Sequence, residues 1–360
     1  MVSGKLDNVV IREWNARTAP SGELQSLLDM YNAVLRADLP DDPLWQVDKL
    51  REYLSETMPR ERRIAWIAED DAKRVIGYVN VLLLGDTAII ELAVHPHHRR
   101  RGIGRQLLAT AAQRVYHEGF SILKVEVIGG TPAVPFYESL GFSQQFVEIR
   151  SVLRLASVDW GALDDMVRSV ASGYRIEFYP GGPTDSRIIE AYARAKAEAR
   201  SPEESEDEAF SQGYDPEQLR ESLACLHRRG MKPYVVLAIH EHTGEVAGLT
   251  EVVVPTQHPS RADQYDTIVT ERHRGYGIDR AIKARMLFEL RAAEPQLTEV
   301  QTWNAPDNET MLKVNAELGY QPDREWFEFG AEVAPLVHRL NEHLRPQAPS
   351  TRGQVTAADA

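Results

Sequence analysis

The sequence predicts an α/β protein with two consecutive domains, each a mixed central sheet flanked by helices. Two observations support this prediction. Strand-like apolar runs alternate with segments of helical apolar spacing along most of the 360 residues, a pattern typical of sheets covered by helices. A glycine-containing turn that follows an apolar strand also occurs twice, at residues 94–104 and at residues 269–279. Such a repeat indicates an internal duplication.

The spacing of the repeat supports duplication rather than chance. Three positions of the turn recur 175 residues later: Val94, Arg99 and Gly102 as Val269, Arg274 and Gly277. A second motif recurs 178 residues later, Leu140-Gly141-Phe142 as Leu318-Gly319-Tyr320. We therefore predict an N-terminal domain at 1–156, a connector at 157–172, a C-terminal domain at 173–345 and a disordered tail at 346–360, where Pro, Ser, Thr, Gly and Ala dominate.

Apolar periodicity predicts the individual elements. In the first copy the predicted strands are 8–15, 63–69, 75–84, 87–94, 123–128 and 146–155, and the predicted helices are 23–36, 45–58, 105–118 and 133–140. In the second copy the predicted strands are 174–179, 234–240, 246–254 and 264–269, and the predicted helices are 188–199 and 216–228. The acidic run at 201–208 is predicted to be a solvated loop, with recruitment of a cationic substrate as the alternative.

Composition excludes several classes of protein. Hydrophobic residues make up 43% and charged residues 26% of the chain, as in globular proteins. No apolar run approaches the roughly 20 residues needed to cross a bilayer, and residues 1–8 lack the apolar core of a signal peptide. The single cysteine, Cys225, allows no internal disulfide.

The net charge of −13 argues against general nucleic-acid binding. We expect a cytoplasmic protein with no nucleic-acid or membrane partner. The two copies are expected to form a pseudo-dimer within a monomer, or the chain to form a homodimer.

The turn after the strand at 87–94 has the features of a phosphate-binding site. Gly102 and Gly104 carry no Cβ, so their backbone N–H groups can approach a bulky anion. The turn opens a helix, whose first amides are unpaired and lie at the positive end of the helix dipole. A dinucleotide-binding fingerprint is incomplete here because position 107 is Leu, and no P-loop ending is present. An ordinary tight turn is the alternative for this spacing alone.

The pattern Val-x-Pro-x-x-Arg-x-x-Gly-x-Gly, from Val94 to Gly104, resembles the acyl-CoA-binding motif of the GNAT superfamily of N-acetyltransferases. That family usually continues with a strand, a helix and an aromatic-Tyr-x-x-x-Gly-Phe ending, which here runs from Phe136 to Phe142. Over nearly its whole length the chain resembles tandem GNAT proteins of the actinobacterial type, which include the mycothiol synthases. The resemblance implies a GNAT fold in each copy and acetyl-CoA as co-substrate. No metal is expected.

The resemblance also implies which residues bind CoA. In the first copy they are the strand end and the turn: Leu92, Ala93, Val94, Arg99, Arg100, Arg101, Gly102, Ile103, Gly104 and Arg105. In the second copy they are Val269, Arg274, Gly275 and Gly277. In the family, the backbone at the position of Val94 pairs with the pantetheine arm as an added strand would.

Acetyl transfer needs a neutral amine and a proton for the leaving CoA thiolate. The resemblance places the acid at Tyr137, whose phenol, with an ordinary pKa near ~10, stays protonated at neutral pH. Glu91 is the candidate base. Strict alternation would turn Glu91 away from the face of Ala88 and Ile90, whereas a bulge, common in this strand of the family, would reverse it. The alternatives are a half-buried helix aromatic for Tyr137, a salt bridge or surface position for Glu91, and a chain of waters as the base.

The second copy departs from the motif twice. Asp279 stands at the position of Gly104, where a carboxylate about 4 Å from a phosphate charge would cost about 4 kcal/mol at an effective dielectric of about 20. Asp279 is alternatively expected to cap its own helix. Asn315 stands at the position of Tyr137, so the proposed acid is missing.

We therefore predict an acyltransferase whose N-terminal domain is catalytic. It would transfer an acetyl group from acetyl-CoA to a primary amine of a small molecule by direct attack in a ternary complex. The resemblance to mycothiol synthase implies the opposite alternative, catalysis in the C-terminal domain. Glu251, on a predicted central strand of that domain, is then the candidate base. A non-catalytic acyl-CoA-binding or regulatory protein is the third possibility.

Overall fold

The structure is a computed structural model that describes residues 9–198 and 215–344. Its strands, in chain order, are β1 (Val10–Trp14), β2 (Arg62–Glu69), β3 (Val75–Leu84), β4 (Thr87–Val94), β5 (Ile122–Ile128), β6 (Ser143–Arg154), β7 (Tyr174–Pro180), β8 (Met231–His240), β9 (Val246–Pro255), β10 (Arg261–Val269), β11 (Glu299–Asn304) and β12 (Gln321–Glu332). Its helices are α1 (Ser21–Asp38), α2 (Val47–Ser55), α3 (Ile103–His117), α4 (Ala133–Ser139), α5 (Trp160–Arg168), α6 (Ser186–Glu198), α7 (Pro216–Arg228), α8 (Ile278–Ala293), α9 (Glu309–Leu318) and α10 (Val333–Leu344).

The predicted α/β class is confirmed, and each predicted strand and helix is present with its ends shifted by a few residues. Helix α3 begins at Ile103 rather than at 105, because Gly102 is its N-cap and the Gly102 carbonyl accepts from the N–H of Gln106 at 3.0 Å. The connector predicted at 157–172 contains α5. The predicted acidic loop at 201–208 and the predicted tail at 346–360 lie outside the described residues.

All twelve strands form one continuous mixed sheet, in the order β1-β2-β3-β4-β5-β12-β6-β11-β10-β9-β8-β7. Strands β1 to β4 pair antiparallel with their neighbours, and β4 pairs parallel with β5. Strands β7 to β11 repeat this arrangement, with β10 and β11 as the parallel pair. The strand order of the first copy, read inward from β1, therefore matches that of the second copy, read inward from β7. β1 and β7 are the two edges of the sheet.

The last strand of each copy lies in the sheet of the other copy. β12 pairs antiparallel with β5, from Trp326 opposite Ile128 to Glu332 opposite Ile122. β6 pairs antiparallel with β11, from Glu299 opposite Arg154 to Asn304 opposite Ile149. β6 and β12 also pair with each other at the centre of the sheet. Each copy thus supplies the strand that satisfies the open edge of the other.

The helix that follows each exchanged strand also packs on the other copy. Helix α10 packs on α3 and buries Val333, Leu336 and Leu340 in the N-terminal core. Helix α5 packs on α8 and buries Leu163 in the C-terminal core. Because the apolar faces of α5 and α10 are buried in this way, the exchange includes core packing as well as strand pairing.

Helices cover both faces of the sheet. We call the face covered by α3, α8, α5 and α10 the α3 face, and the face covered by α1, α2, α6 and α7 the α1 face. On the α1 face the N-terminal core contains Trp14, Leu27 and Tyr78. The C-terminal core on that face contains Tyr192 and Leu237.

Polar contacts between side chains and backbone also join the two halves. Arg150, 3% exposed, donates from Nε to Asp323 at 2.7 Å. Asp42 in the loop accepts from Arg261 at 3.0 Å. The thiol of Cys225 donates to the carbonyl of Thr57 at 2.9 Å. The halves are therefore in direct contact beyond the exchanged strands.

The exchange predicts that the two halves unfold together. Phe329 on β12 is 1% exposed and packs in the core of the N-terminal half. We expect Phe329→Ala to lower the free energy of unfolding by about 3–5 kcal/mol and to reduce amide-exchange protection in β4 and β5. Phe146→Ala, which removes a 48% exposed ring from the other exchanged strand, is the control and should change stability little. Loss of protection confined to residues 174–320 would contradict the exchange.

Candidate functional site

The N-terminal half of the sheet opens between β4 and β5. Strand β4 pairs with β3 along its whole length to Val94, but with β5 only over the four residues from Thr87 to Ile90. The N–H of His95 donates to the carbonyl of Ile76 in β3 at 2.9 Å. Because backbone groups alternate along a strand, those of Leu92 and Val94 face the opening. We call this opening the N-terminal gap.

A glycine turn lies at the mouth of the N-terminal gap. Arg100 has a φ of +63° and Gly102 a φ of +83°, the left-handed region that glycine adopts readily. The N–H groups of residues 103–105 precede the first intrahelical bond of α3, so they are available to an anion. A Cβ built on Gly102 meets nothing within 4 Å. The turn therefore presents amides to open space, as a phosphate site requires.

The arginines of the turn do not all face this space. Arg99 donates to both carboxylate oxygens of Asp38, at 2.8 and 2.6 Å, and to the carbonyl of Val94 at 3.1 Å. Its guanidinium thus ties the end of α1 to the end of β4. Arg100 and Arg101 are exposed and Arg105 is partly exposed. These three residues, rather than Arg99, supply side-chain charge beside the turn.

Glu91 lies on the α1 face of β4. The register between β3 and β4 runs without a shift from Gly77 opposite Val94 to Leu84 opposite Thr87, so the bulge considered for this strand is absent. Ile90 is buried in the core on the α3 face, and alternation turns Glu91 to the other side.

The carboxylate of Glu91 accepts a 2.6 Å hydrogen bond from Nδ2 of Asn80. Tyrosines surround it on this face. The negative charge of Glu91 is the main cause that raises the pKa of Tyr53. For Tyr31 and Tyr78, burial is the main cause of a raised pKa and other charges, including Glu91, add to it.

Tyr137 on α4 is 3% exposed, and its ring packs between Phe136 and Phe142 at centroid distances of 5.0 Å. Burial raises the pKa of its phenol. Among the described residues its hydroxyl has no hydrogen-bond partner. A buried hydroxyl without a partner is unfavourable by itself. The hydroxyl of Tyr137 can therefore still donate a hydrogen bond.

The C-terminal half keeps the shape of this site. Strand β10 pairs with β11 only over Arg261–Gln264, and its register with β9 shifts between Gln264 and Thr267. Gly277, φ +73°, is the N-cap of α8, and Gly275, φ +83°, stands where the first copy has Arg100. The bulge that is absent from β4 is thus present in its counterpart.

Polar side chains occupy the C-terminal counterpart of the glycine turn and of Tyr137. The carboxylate of Asp279, inside the first turn of α8, accepts from the N–H of Arg280 at 2.9 Å. The N-cap is Gly277, with no side-chain cap bond, so Asp279 holds one first-turn amide but is not the cap of the helix. Lys283, 2% exposed, stands where the first copy has Leu108 and donates to Asn315 at 2.8 Å. Burial lowers the pKa of Lys283 to about 7. In the sequence, the signal for this arrangement is a lysine on the apolar side of a helix.

The C-terminal carboxylates on the α1 face are already paired. Nζ of Lys196 contacts both oxygens of Glu251, at 2.7 and 2.8 Å, and Asp266 at 2.7 Å. Tyr192 also donates to Glu251. Asp266 is the counterpart of Glu91, 175 positions later. These four residues line a cavity of about 500 Å³. A larger cavity, about 910 Å³, lies near β1 and contains none of the predicted site residues.

The structure therefore brings most of the N-terminal set together. The backbone of Leu92 and Val94, the amides at 103–105 and the side chain of Glu91 all lie around one opening. Among residues 9–198 and 215–344, no group of three or more His, Cys, Asp or Glu is placed to hold a metal ion. Within the same residues, no helix is both long and apolar enough to span a membrane.

Comparison with known proteins agrees with this geometry. Residues 24–142 match the acetyltransferase (GNAT) family. A mycothiol acetyltransferase of Kineococcus radiotolerans is 26% identical over 66% of this chain and 70% of its own. One from Mycolicibacterium smegmatis is 26% identical over 73% of this chain and 82% of its own.

A solved tandem GNAT protein from the clavulanic acid biosynthesis pathway superposes with a TM-score of 0.77 at 26% identity. It covers 91% of this chain and 99% of its own. The match therefore extends over both halves of the chain. From the family match, the mycothiol acetyltransferase relatives and this structure, the chain is a tandem GNAT protein and an N-acetyltransferase.

Proposed function

We propose that the N-terminal domain, residues 1–156, transfers an acetyl group from acetyl-CoA to a primary amine of a small molecule. The observation that carries this proposal is the N-terminal gap. An unobstructed glycine turn lies at its mouth, and Glu91 lies on the face of the sheet beside it. In the C-terminal domain, residues 173–345, the groups at the equivalent positions are engaged in contacts within the domain.

The N-terminal gap fits the shape of acetyl-CoA. Open space beside Gly102 and the free amides at 103–105 would hold the pyrophosphate, with Arg100, Arg101 and Arg105 adding charge. The backbone of Leu92 and Val94 would pair with the pantetheine arm, because its partner strand has diverged there. Bound acetyl-CoA supplies the activated acyl group as a thioester. The protein's own residues supply orientation and proton transfer.

Glu91 and Asn80 form the proposed amine site. Asn80 is fully buried, donates through Nδ2 to Glu91, and has an Oδ1 with no partner among the described residues. The Glu91 carboxylate can accept from an amine, and the hydrogen bond from buried Asn80 holds that carboxylate in place. Glu91 would take the proton, directly or through a water, so that the amine attacks as a neutral nucleophile.

Tyr137 is the proposed acid. Its raised pKa keeps the phenol protonated at neutral pH, and its hydroxyl has no competing partner among the described residues. Such a group can donate to a thiolate that forms beside it without first breaking a hydrogen bond. The C-terminal copy has Asn315 here, held between Lys283 and Asn304.

Catalysis in the C-terminal domain is the second candidate. The retained gap between β10 and β11 and the similarity to mycothiol acetyltransferases favour it. Against it, Glu251 and Asp266 are both bound to Lys196, and Asp279 occupies an amide that a phosphate would use. We propose that this domain completes the sheet and encloses the amine site.

The base assignment predicts an asymmetric effect of two matched substitutions. Glu91→Gln keeps an oxygen that Asn80 can donate to but removes the base, so kcat/KM should fall roughly 10²–10³-fold. Asp266→Asn, the same change at the counterpart position, should lower it less than about threefold. CoA release with a panel of primary amines measures both. Loss of activity in Asp266→Asn alone would move catalysis to the C-terminal domain.

The acid assignment predicts that Tyr137→Phe separates activity from stability. Removal of a buried hydroxyl without a partner should leave the unfolding free energy unchanged or raise it by about 1 kcal/mol. The same change should lower kcat roughly 10²-fold, because the thiolate would leave without a proton. Urea denaturation and steady-state kinetics on one preparation test this. If Tyr137→Phe keeps its kcat, or if it loses stability, Tyr137 is a packing residue and not the acid.

A further inference from the structure

The cavity of about 910 Å³ near β1 has features of a second binding site. Residues from β1, from the start of β2 and from the nearby ends of α1 and α2 line it, among them Trp14, Arg63, Pro20 and Leu54. We call it the β1 cavity. No residue of the proposed CoA site lines it, nor does Glu91 or Tyr137, so the proposed acetyl transfer leaves this cavity without a role.

The β1 cavity lies at the opposite end of the strands from the glycine turn. Arg63 lies opposite Leu82 of β3, and Leu82 lies opposite Ile89 of β4. Ile89 precedes Val94, the last residue of β4, by five residues. At about 3.3 Å per residue this separation is about 17 Å. The cavity is therefore separate from the proposed pyrophosphate site.

Buried polar atoms without partners are concentrated around this cavity. Eleven buried side-chain nitrogen and oxygen atoms have no hydrogen-bond partner among the described residues, and four of them belong to residues that line the β1 cavity. They are Nε1 of Trp14, Nε and Nη2 of Arg63 and the hydroxyl oxygen of Tyr78. Trp14 is 6% exposed and Tyr78 is fully buried. All four atoms carry a hydrogen that can be donated, and an unsatisfied buried donor is costly. A ligand with acceptor oxygens would remove that cost.

Arg63 offers the edge of its guanidinium group that carboxylates use. Arg12 donates from its Nε and Nη2 to the two carboxylate oxygens of Glu69, both at 3.0 Å. The same two atoms of Arg63 have no partner within the described chain. Nη1 of Arg63 donates to the carbonyls of Tyr53 and Leu54 at the end of α2, both at 3.0 Å. These bonds fix the guanidinium and leave its bidentate edge for a second group.

The other charged groups that line the β1 cavity are already paired. Its other arginines form ion pairs with glutamates: Arg12, Arg17, Arg62 and Arg114. Its glutamates are paired with two of those arginines or accept from a backbone N–H: Glu13, Glu23 and Glu61. Within the described residues, Arg63 is therefore the cation of this lining whose bonds go to carbonyls alone.

The N-terminus of α1 opens on the same cavity. Ala19 and the N-cap residue Pro20 line it, and no side chain in the described ranges caps this helix. The first helical hydrogen bond runs from the N–H of Glu23 to the Pro20 carbonyl at 3.1 Å, so the amides of residues 21 and 22 precede it and are unpaired. The positive end of the helix dipole adds to the charge of Arg63.

We propose that the β1 cavity binds a small oxyanion, the carboxylate or phosphate group of a ligand. Two of its oxygens accept from Nε and Nη2 of Arg63, and Nε1 of Trp14 donates to the same group. These donor atoms are covered by neighbouring side chains, so binding requires those side chains to shift, as is common at binding sites. The site does not depend on the proposed function, because it shares no residue with it.

Thermal unfolding of the full-length chain tests the binding. CoA is present in excess to occupy the glycine turn, and inorganic phosphate, acetate and succinate are each compared with sodium chloride at equal ionic strength. We expect the melting temperature to rise with the concentration of phosphate or of the carboxylates, and not with chloride. The larger rise identifies the ligand as a phosphate or a carboxylate compound. No rise above chloride with any of the three would overturn the proposal.

Matched substitutions assign the contact. Trp14→Phe removes one donor and keeps an apolar ring, and Arg63→Lys keeps the charge but removes the bidentate edge. Each should weaken binding of the stabilising anion about tenfold or more. Trp303→Phe is the control, since it removes another buried Nε1 without a partner in the described chain from a residue outside the β1 cavity. It should leave anion affinity unchanged. Full affinity in both Trp14→Phe and Arg63→Lys would place the anion elsewhere and overturn the proposal.

Gly102→Asp separates this site from the glycine turn. It should abolish acetyl-CoA binding and leave the anion-dependent rise in melting temperature unchanged. If the rise disappears in Gly102→Asp, the anion binds at the turn, the β1 site is wrong and the proposed CoA site stands. If Trp14→Phe alone loses the rise while acetyl-CoA still binds to it, the β1 site stands whichever domain is catalytic.

Discussion

The edge of β5 is the constraint on which the rest of the structure depends. An unpaired sheet edge leaves backbone N–H and C=O groups without partners, and the first copy's own last strand, β6, pairs with β11 and β12 rather than with β5. β12 covers β5 over seven residues while β3 holds β4 along its length. Each of the two strands that flank the N-terminal gap is therefore held by the strand on its other side, β4 by β3 and β5 by β12. The gap needs no hydrogen bonds between β4 and β5 to keep its shape. The proposed CoA site thus depends on a strand from the other copy.

The two copies show how one backbone supports different chemistry. In the first, Leu108 is fully buried and Tyr137 keeps a hydroxyl free of partners within the described chain. In the second, a lysine and an asparagine stand at these positions and bond to each other in the core. A buried lysine is tolerated only when partnered, and its lowered pKa reflects the desolvation it suffers. The second copy has therefore retained the fold while its site has filled with internal contacts.

Local patterns made much of this predictable. Strand and helix positions, the glycine turn and the duplication follow from apolar spacing and short motifs, which are local in the chain. The strand exchange was not predictable, because β6 and β12 carry the same pattern whichever sheet they join. The direction of Glu91 depended on the register with β3. The pairing of Arg99 with Asp38 arises from a contact between residues far apart in sequence, which single-chain periodicity does not report.

The most direct test of the account is the stoichiometry of acetyl-CoA binding, measured by calorimetry on the intact chain and on Gly102→Asp. Gly102 has a left-handed φ with open space where a Cβ would lie, so an aspartate there places negative charge at the phosphate position. Gly277→Asp makes the same change in the C-terminal turn and is the matched control. The account predicts one site per chain, lost in Gly102→Asp and retained in Gly277→Asp. Two sites, or one that survives Gly102→Asp, would contradict it and place the working acyl-CoA site in the C-terminal half.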